Sequence, residues 1–413
     1  MIQCCLSENL QMLSPTTSNV SASGSDQEYP LELSVVMPCL NEAETIETCI
    51  RKVQSVIQEC QISAEIIVAD NGSTDGSIEL ATKLNARVVH VDKKGYGAAL
   101  QGGIAEARGR FVIMGDADDS YDFLEIPKFL DSLREGFELV QGCRLPSGGG
   151  HIMPGAMPFL HRWWGNPTFS WMVRLMFRAP IHDVYCGLRG FTNELYRHLE
   201  LRSTGMEFAT EMVIKTSLFK RSIAEVPITL HPDGRQVRAP HLRTFRDGWR
   251  TLWFFLIYSP NWLFMIPGVF LIAGGLLGYA LALPGIQIWG ANLDAHTLLF
   301  ASLAILLGHQ AVSFAALAKT FGVRERLLPQ DSATDRLERT INLERGVVLG
   351  GVSLCMGIVL MGIAVNQWRV ANFGDLEYAQ TMRIVIPGVM LSALGCQTIF
   401  ASFFLALLRI PRR

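Results

Sequence analysis

The sequence predicts an α/β domain built on a mainly parallel sheet, followed by an α-helical transmembrane domain of four spans. Three observations lead there. From Leu33 to about Lys220, short β-branched runs alternate with stretches of helical pattern. After Trp262, four segments of roughly 20 residues carry no Asp, Glu, Lys or Arg. The whole chain of 413 residues is 49% hydrophobic with 18% charged, below the ~25% charged of ordinary soluble domains.

Residues 1–30 contain no Lys or Arg and no long apolar run, and they are rich in Ser, Gln, Glu and Asn. That pattern fits neither a signal nor a transit peptide and is expected to be a disordered leader. Leu33–Met37, Glu65–Ala69, Arg87–Val91 and Phe111–Met114 read as strands, with helices over Glu44–Cys60, Ser77–Leu84 and Ala98–Ala107. Strand runs apolar on both faces, separated by helices, indicate a parallel sheet covered on both sides. The domain is expected over 31–240.

Two stretches then have the look of interfacial helices. In the first, Phe169, Met172, Val173 and Met176 share a face, Arg174 and Arg178 share another, and Trp163, Trp164 and Trp171 are nearby. It can lie among headgroups or pack on the domain. In the second, within 241–260, Trp249, Leu252, Trp253 and Leu256 oppose Arg243, Arg246 and Arg250. Its position beside a span favours the membrane interface.

The spans are expected at Trp262–Leu283, Thr297–Ala318, Val347–Val365 and Ile384–Leu408, within a domain of 261–413. Pro284–His296 has no Lys or Arg, whereas Phe321–Gly346 carries Arg324, Arg326, Arg336, Arg339 and Arg345. The chain closes on Arg409, Arg412 and Arg413, and the third loop holds only Arg369 and Arg383. The bias toward basic loops inside places the N-terminal domain, the middle loop and the tail in the cytoplasm. His309 and Gln310, the most polar pair within a span, are expected to make an interhelical contact.

A net charge of -2 supplies no basic field for nucleic acid. Nine cysteines are scattered, without CxxC or Cys/His ligand spacing. They read as reduced packing thiols in a reducing compartment.

Ligands of parallel sheets bind at the carboxyl ends of the strands, where this chain puts its unusual residues. Phe111–Met114 ends in Gly115-Asp116-Ala117-Asp118-Asp119-Ser120. Carboxylates at i and i+2 can hold a hard divalent cation against a diphosphate, and Gly115 and Ala117 keep that turn uncrowded. Pro38-Cys39-Leu40-Asn41-Glu42 follows the first strand and Asp70–Ser77 the second, offering groups to a ribose and a base. Lys94-Gly95-Tyr96-Gly97 opens a helix whose N–H groups can meet phosphate. Turn chemistry alone explains each loop singly; together they converge on one site.

MPCLNEAETI, VADNGSTDGS, KGYGAALQGG and MGDADDSYDF, in that order, resemble the GT-A catalytic domain of family 2 glycosyltransferases. The resemblance covers about Leu31 to Tyr258, and within the family it is to dolichol-phosphate mannose synthases and bacterial polyprenyl-phosphate glucosyltransferases. It implies that Pro38, Glu42 and Asp70 contact ribose and base. It implies that Asp116 and Asp118 bind metal and diphosphate, and Ser120 falls where relatives carry a third metal-side ligand, often Gln. Arg144 and Arg189 match arginines near phosphates. Arg235 (with Arg238 competing) and Arg243 match a basic stretch before the membrane. Guanidinium groups suit a reaction that brings three phosphates together.

The expectation is transfer of a hexose, glucose or mannose, from a UDP- or GDP-sugar to a polyprenyl phosphate, with inversion and with Mg²⁺ or Mn²⁺ on the diphosphate. The bilayer is a further partner, and the sequence leaves a homo-oligomer open. Glu207 and Glu211, four apart, raise the alternative of a general base for a hydroxyl acceptor. A polysaccharide synthase is disfavoured by the lack of a QxxRW stretch. A scaffold or flippase with a dead site is disfavoured by the intact Asp116 and Asp118 and by the charge-free spans.

Overall fold

The computed structural model describes residues 29–235, 244–288, 291–330 and 343–410. The side chains of 244–247, 287–288 and 291–292 lie outside that description. So do residues 1–28 of the expected leader over 1–30, and Arg238, Arg243, the Arg246 side chain, Arg336, Arg339, Arg412 and Arg413.

The first half alternates β1 (Leu31–Cys39), α1 (Ile46–Glu59), β2 (Ala64–Asp70), α2 (Ser77–Lys83), β3 (Arg87–His90), α3 (Tyr96–Ala105) and β4 (Gly109–Met114). These are the expected elements, with ends displaced by a few residues. After them come α4 (Ile126–Arg134), β5 (Leu139–Cys143), a two-residue β6 (His151–Ile152), α5 (Asn166–Phe177) and β7 (Arg189–Thr192). The domain closes with α6 (Asn193–Leu199), α7 (Glu207–Leu218), β8 (Ile223–Pro227) and a short β9 (Thr229–Leu230). Seven strands form one sheet in the order β3-β2-β1-β4-β7-β5-β8. All neighbours are parallel except β7, which runs antiparallel to both β4 and β5.

Both faces of the sheet are covered, as its apolar strands require. Leu33, Val35 and Met37 of β1, Ile66 and Val68 of β2, and Phe111 and Ile113 of β4 share one core with α1 and α4. The alternate residues Val36, Ile67, Ala69, Val112 and Met114 share the other with α3, α6 and α7. Period-2 alternation thus feeds two cores from one strand.

Beyond the domain, α8 (Thr244–Tyr258) leads into four long apolar helices: α9 (Asn261–Ala282), α10 (Ala295–Arg324), α11 (Leu343–Val370) and α12 (Tyr378–Leu408). They pack as two hairpins, α9 with α10 and α11 with α12, joined by α10 against α12. Small residues allow the close approach: a Cβ on Gly350 would lie 2.8 Å from the Gly395 carbonyl, and one on Gly395 2.6 Å from that of Gly350. His309 Nε2 meets Thr398 Oγ1 at 3.1 Å, the interhelical contact expected of it.

The two amphipathic stretches resolve differently. On α5, Val173 is buried, with Phe169, Met172 and Met176 packed against the core, so that face belongs to the domain. Trp163, Trp164 and Trp171 stay exposed. On α8, Phe255 is fully buried, while Trp249, Trp253 and Ile257 stand 56–64% exposed at helical spacing.

Besides Phe255, a buried polar cluster ties the domain to α8. Glu211 is fully buried and accepts from the Ser203 N–H at 2.8 Å, the Arg202 N–H at 3.1 Å and the Tyr258 hydroxyl at 2.8 Å. Lys215 Nζ lies 3.2 Å away, and donates at 2.9 Å to the carbonyls of Leu199 and Glu200. Burial alone would raise the Glu211 pKa, but Lys215 and these hydrogen bonds bring it below the usual carboxylate value. A carboxylate with a depressed pKa stabilises the fold above its unfolded pKa, and that support is lost as pH falls through the folded value. Glu211→Ala should strand the Lys215 charge and destabilise the protein by about 3–5 kcal/mol, measured by thermal or denaturant unfolding in detergent.

Candidate active site at the carboxyl edge of the sheet

The loops after β1, β2 and β4 are knitted together by their own polar groups. Asn41 N–H donates to Ser73 Oγ at 2.9 Å, Glu42 N–H to Ser77 Oγ at 2.8 Å, and Thr74 N–H to Asn41 Oδ1 at 2.7 Å. Thr45 Oγ1 donates to the Ala117 carbonyl at 2.6 Å, tying the start of α1 to the Asp-Ala-Asp turn. Lys52 reaches Asp119 at 2.8 Å, steadying a residue whose φ of 60° lies in the left-handed region.

Within this frame the carboxylates gather around one guanidinium. Arg235 Nη1 donates to Glu42 Oε1 at 3.1 Å, Nη2 to Asp118 Oδ2 at 3.2 Å and to Asp233 Oδ2 at 2.5 Å. Asp118 Oδ1 accepts from Ser120 Oγ at 2.6 Å and the Ser120 N–H at 3.1 Å. The Tyr96 hydroxyl donates to Asp116 Oδ1 at 2.8 Å. Burial, then repulsion from Asp118, pushes the Asp116 pKa up to about 6, despite Tyr96, Arg144 and Arg189. Burial likewise pushes Glu42 up to about 7; Arg235 partly offsets it, while Asp118, Asp233 and Asp116 add to it. Glu42 Oε2 is buried without a hydrogen-bond partner. The pocket therefore holds more negative charge than its single bridging arginine neutralises.

That excess suits a divalent cation. Among the described residues no three His, Cys, Asp or Glu side chains form a ready-made cage. Mg²⁺-type sites commonly use one or two carboxylates and take their other ligands from substrate phosphates and water. Asp116 and Asp118 fit that role.

The structure brings Glu42, Asp116, Asp118, Ser120 and Arg235 together, as the sequence suggested, and separates or occupies others. Ser120 spends its hydroxyl on Asp118 and so supports that carboxylate. Asp70 accepts from the Gly72 and Ser73 N–H groups and faces His90 Nδ1 at 3.2 Å, so both its oxygens brace the second loop. Burial would raise its pKa, but these bonds bring it below the usual value. Pro38 sits near the end of β1, opposite Ala69.

Of the glycines expected beside phosphate, Gly95 already donates its N–H to Asn71 Oδ1 at 2.9 Å, and both Gly95 and Gly97 are required by space. A Cβ on Gly95 would lie 2.3 Å from the Thr204 carbonyl, and one on Gly97 2.6 Å from that of Ser203. The Ala98 N–H already donates to Thr204 at 3.0 Å. These glycines admit the 203–205 backbone.

Arg144 and Arg189 need correction. Arg144 is buried with its fork closed on Asp183, at 2.7 and 2.9 Å, and its third nitrogen on the Tyr121 hydroxyl at 3.3 Å. Burial disfavours its charge, yet Asp183 overrides that and raises its pKa. Arg189 is fully buried against the Cys186 and Ala209 carbonyls, and burial lowers its pKa. Arg144 is fully engaged, and Arg189 is enclosed with its Nε alone lacking a partner; both lower the Asp116 pKa through their charge. Arg243 lies outside the described residues.

Sequence reasoning missed Asp183, Asp233, Tyr121 and Gly187. Only Asp233, in a Pro-Asp-Gly turn beside Arg235, carried a local signal. Gly187 is required by space: a Cβ there would stand 2.7 Å from Asp116 Oδ2.

Comparison with known proteins agrees with this architecture. Residues 34–199 match the family described as Glycosyl transferase family 2. Residues 316–409 match the Glycosyltransferase family 2 C-terminal transmembrane region. The low-salt glycan biosynthesis hexosyltransferase Agl6 of Haloferax volcanii is 37% identical over 381 residues, 92% of this chain and 90% of that protein. The chain belongs to glycosyltransferase family 2. A dolichyl-phosphate hexose transferase of the same organism is 32% identical over 203 residues, 49% of this chain and 84% of that one. The solved glucosyl-3-phosphoglycerate synthase of Mycobacterium tuberculosis, in complex with Mn²⁺, UDP and glucosyl-3-phosphoglycerate, is 22% identical. It covers 55% of this chain and 78% of its own, with a TM-score of 0.41. This glycosyltransferase is thus an integral membrane enzyme whose family domain contains Asp116 and Asp118.

The site predicts a conflict between stability and function. Because the folded Asp116 pKa lies above the ordinary value of about 3.9, stability falls as pH rises from about 4 through about 6. Asp116→Asn should therefore raise stability at pH 7.5 in chelator by about 1–3 kcal/mol while activity is lost, read by thermal unfolding beside an assay. Gly187→Ala should displace the carboxylate and lower turnover by about a hundredfold.

Proposed function

We propose that this glycosyltransferase moves a hexose, glucose or mannose, from a UDP- or GDP-sugar to a polyprenyl phosphate at the cytoplasmic membrane surface. The observation that carries the reading is the acidic cluster of Glu42, Asp118 and Asp233 bridged by Arg235, with Asp116 beside it, in a chain that continues into four membrane helices. The names of the two Haloferax relatives support a hexose donor and, for one of them, a dolichyl-phosphate acceptor.

Asp116 and Asp118 would hold Mg²⁺ or Mn²⁺, which supplies Lewis-acid stabilisation of the charge that develops on the leaving diphosphate. Glu42 stands at the end of β1 with an unpartnered oxygen suited to a hydroxyl donor such as a ribose. Arg235 delivers a guanidinium to the same place. An acceptor phosphate oxygen attacks the anomeric carbon, the bond from that carbon to the diphosphate breaks, and the nucleoside diphosphate leaves with the electron pair. Attack opposite the leaving group inverts the centre.

A phosphate monoester, with a second pKa of about 6, needs no base at neutral pH. The alternative, a hydroxyl acceptor, would need one. Glu211 is enclosed by its four donors, and Glu207 is paired with Arg250. Neither is poised as a base, which favours the phosphate.

The cytoplasmic placement rests on charge. Arg324, Arg326, Arg345 and Arg409 lie at the helix ends nearest the catalytic domain, against Arg369 and Arg383 at the far ends.

The deciding assay incubates the purified chain with labelled UDP- and GDP-glucose and -mannose, and with either polyprenyl phosphate or polyprenol. Sugar should pass to the phosphate alone, and transfer to polyprenol alone would overturn the reading. Asp118→Asn should lower turnover by about a thousandfold, whereas Arg336→Ala should leave it near wild type. Cation affinity should weaken as pH falls through about 6, because Asp116 must be ionised to bind.

A further inference from the structure

Tyr96 is the side chain whose hydroxyl the site uses and whose role nothing above assigns. It sits on the first residue of α3, its ring partly buried against the core shared with α7, and its hydroxyl donates to Asp116 Oδ1 at 2.8 Å. The other Asp116 oxygen, Oδ2, lies over Gly187. No second side-chain donor to Asp116 is seen among the described residues; Arg144 and Arg189 influence it only through space.

The backbone that carries Tyr96 is clamped. The glycines on either side of it press on the carbonyls of residues 203–205, and Gly95 adopts a φ of +134°, closed to ordinary side chains. The Gly95 N–H donates to Asn71 Oδ1 at 2.9 Å, and the Ala98 N–H to the Thr204 carbonyl at 3.0 Å. Residues 202–203 hang in turn on the buried Glu211, which also holds Tyr258 of α8. A continuous set of hydrogen bonds and backbone contacts thus runs from the helix before the first span to the Asp116 carboxylate.

We propose that Tyr96 is a positioning residue that fixes the orientation of the Asp116 carboxylate for the divalent cation, and that the 203–205 backbone held by Glu211 fixes Tyr96. This rests on the metal reading given above. A carboxylate attached through two rotatable bonds loses orientational freedom when one oxygen is held, so less must be lost when a cation binds. The membrane-side helix then contributes to the site's geometry as well as to anchoring.

The test is Mn²⁺ binding to the detergent-solubilised full chain, followed by the loss of the free-ion EPR signal, with thermal unfolding in parallel. Wild type should bind, and Asp116→Asn should not. Tyr96→Phe should bind about 10- to 100-fold more weakly with little change in melting temperature. A wild-type dissociation constant in Tyr96→Phe, beside loss in Asp116→Asn, would overturn the positioning role and leave the metal reading standing. Equal binding by wild type and Asp116→Asn, or none by either, would instead sink the metal reading and this proposal with it. Should Tyr96→Phe not fold, Gly97→Ala moves the phenol with its hydroxyl intact, and unchanged Mn²⁺ affinity in that variant would also overturn the proposal.

Discussion

Everything in the catalytic half answers to one electrostatic constraint: several carboxylates must be kept ionised and close together where little water reaches them. Burial first, and then like charges nearby, push such pKa values up, as at Asp116 and Glu42. The protein tolerates this because donors are fixed around the cluster before any ligand arrives. Ser120 serves Asp118, Tyr96 serves Asp116, and Arg235 spans three carboxylates at once. What is left over is a net negative pocket with an unpartnered Glu42 oxygen. Such an excess of charge is costly when uncompensated, and the proposed cation would relieve that cost.

The surroundings read as supports for that arrangement. The parallel sheet brings the ends of β1, β2 and β4 to one edge. The antiparallel β7 brings up the 183–189 segment, whose Asp183 locks Arg144 and whose Gly187 leaves room for Asp116. The membrane part is joined by the Glu211 cluster below and by Arg202 and Arg326, which meet Glu325 and Glu200 at its surface. The exposed pairs contribute little, being screened by water. The buried cluster is the stronger joint.

The elements and the acidic centre were legible in the sequence because their causes are local. Alternating apolar runs, helical periodicity and charge-free segments long enough to cross a bilayer are properties of short windows. So is the pair of aspartates two residues apart at a strand end. Arginines were harder. A guanidinium looks the same in sequence whether it awaits a phosphate or closes on a carboxylate, and Asp183 lies 39 residues from Arg144. Gly95 and Gly97 carry a demand that the sequence does not show, the close approach of the 203–205 backbone.

By itself, then, the sequence determined the α/β domain, the four apolar helices and the acidic cluster at the strand ends. Each follows from hydrophobic period or from residue chemistry within one loop. Tertiary structure alone decided the rest: the antiparallel β7, the partners of Arg144, Arg189 and Glu211, the split of α8 into a buried Phe255 and exposed tryptophans, and the bond from Tyr96 to Asp116. Those depend on which distant groups arrive at hydrogen-bonding distance and which lose their water. That is set by packing of the whole chain, and no window of sequence contains it.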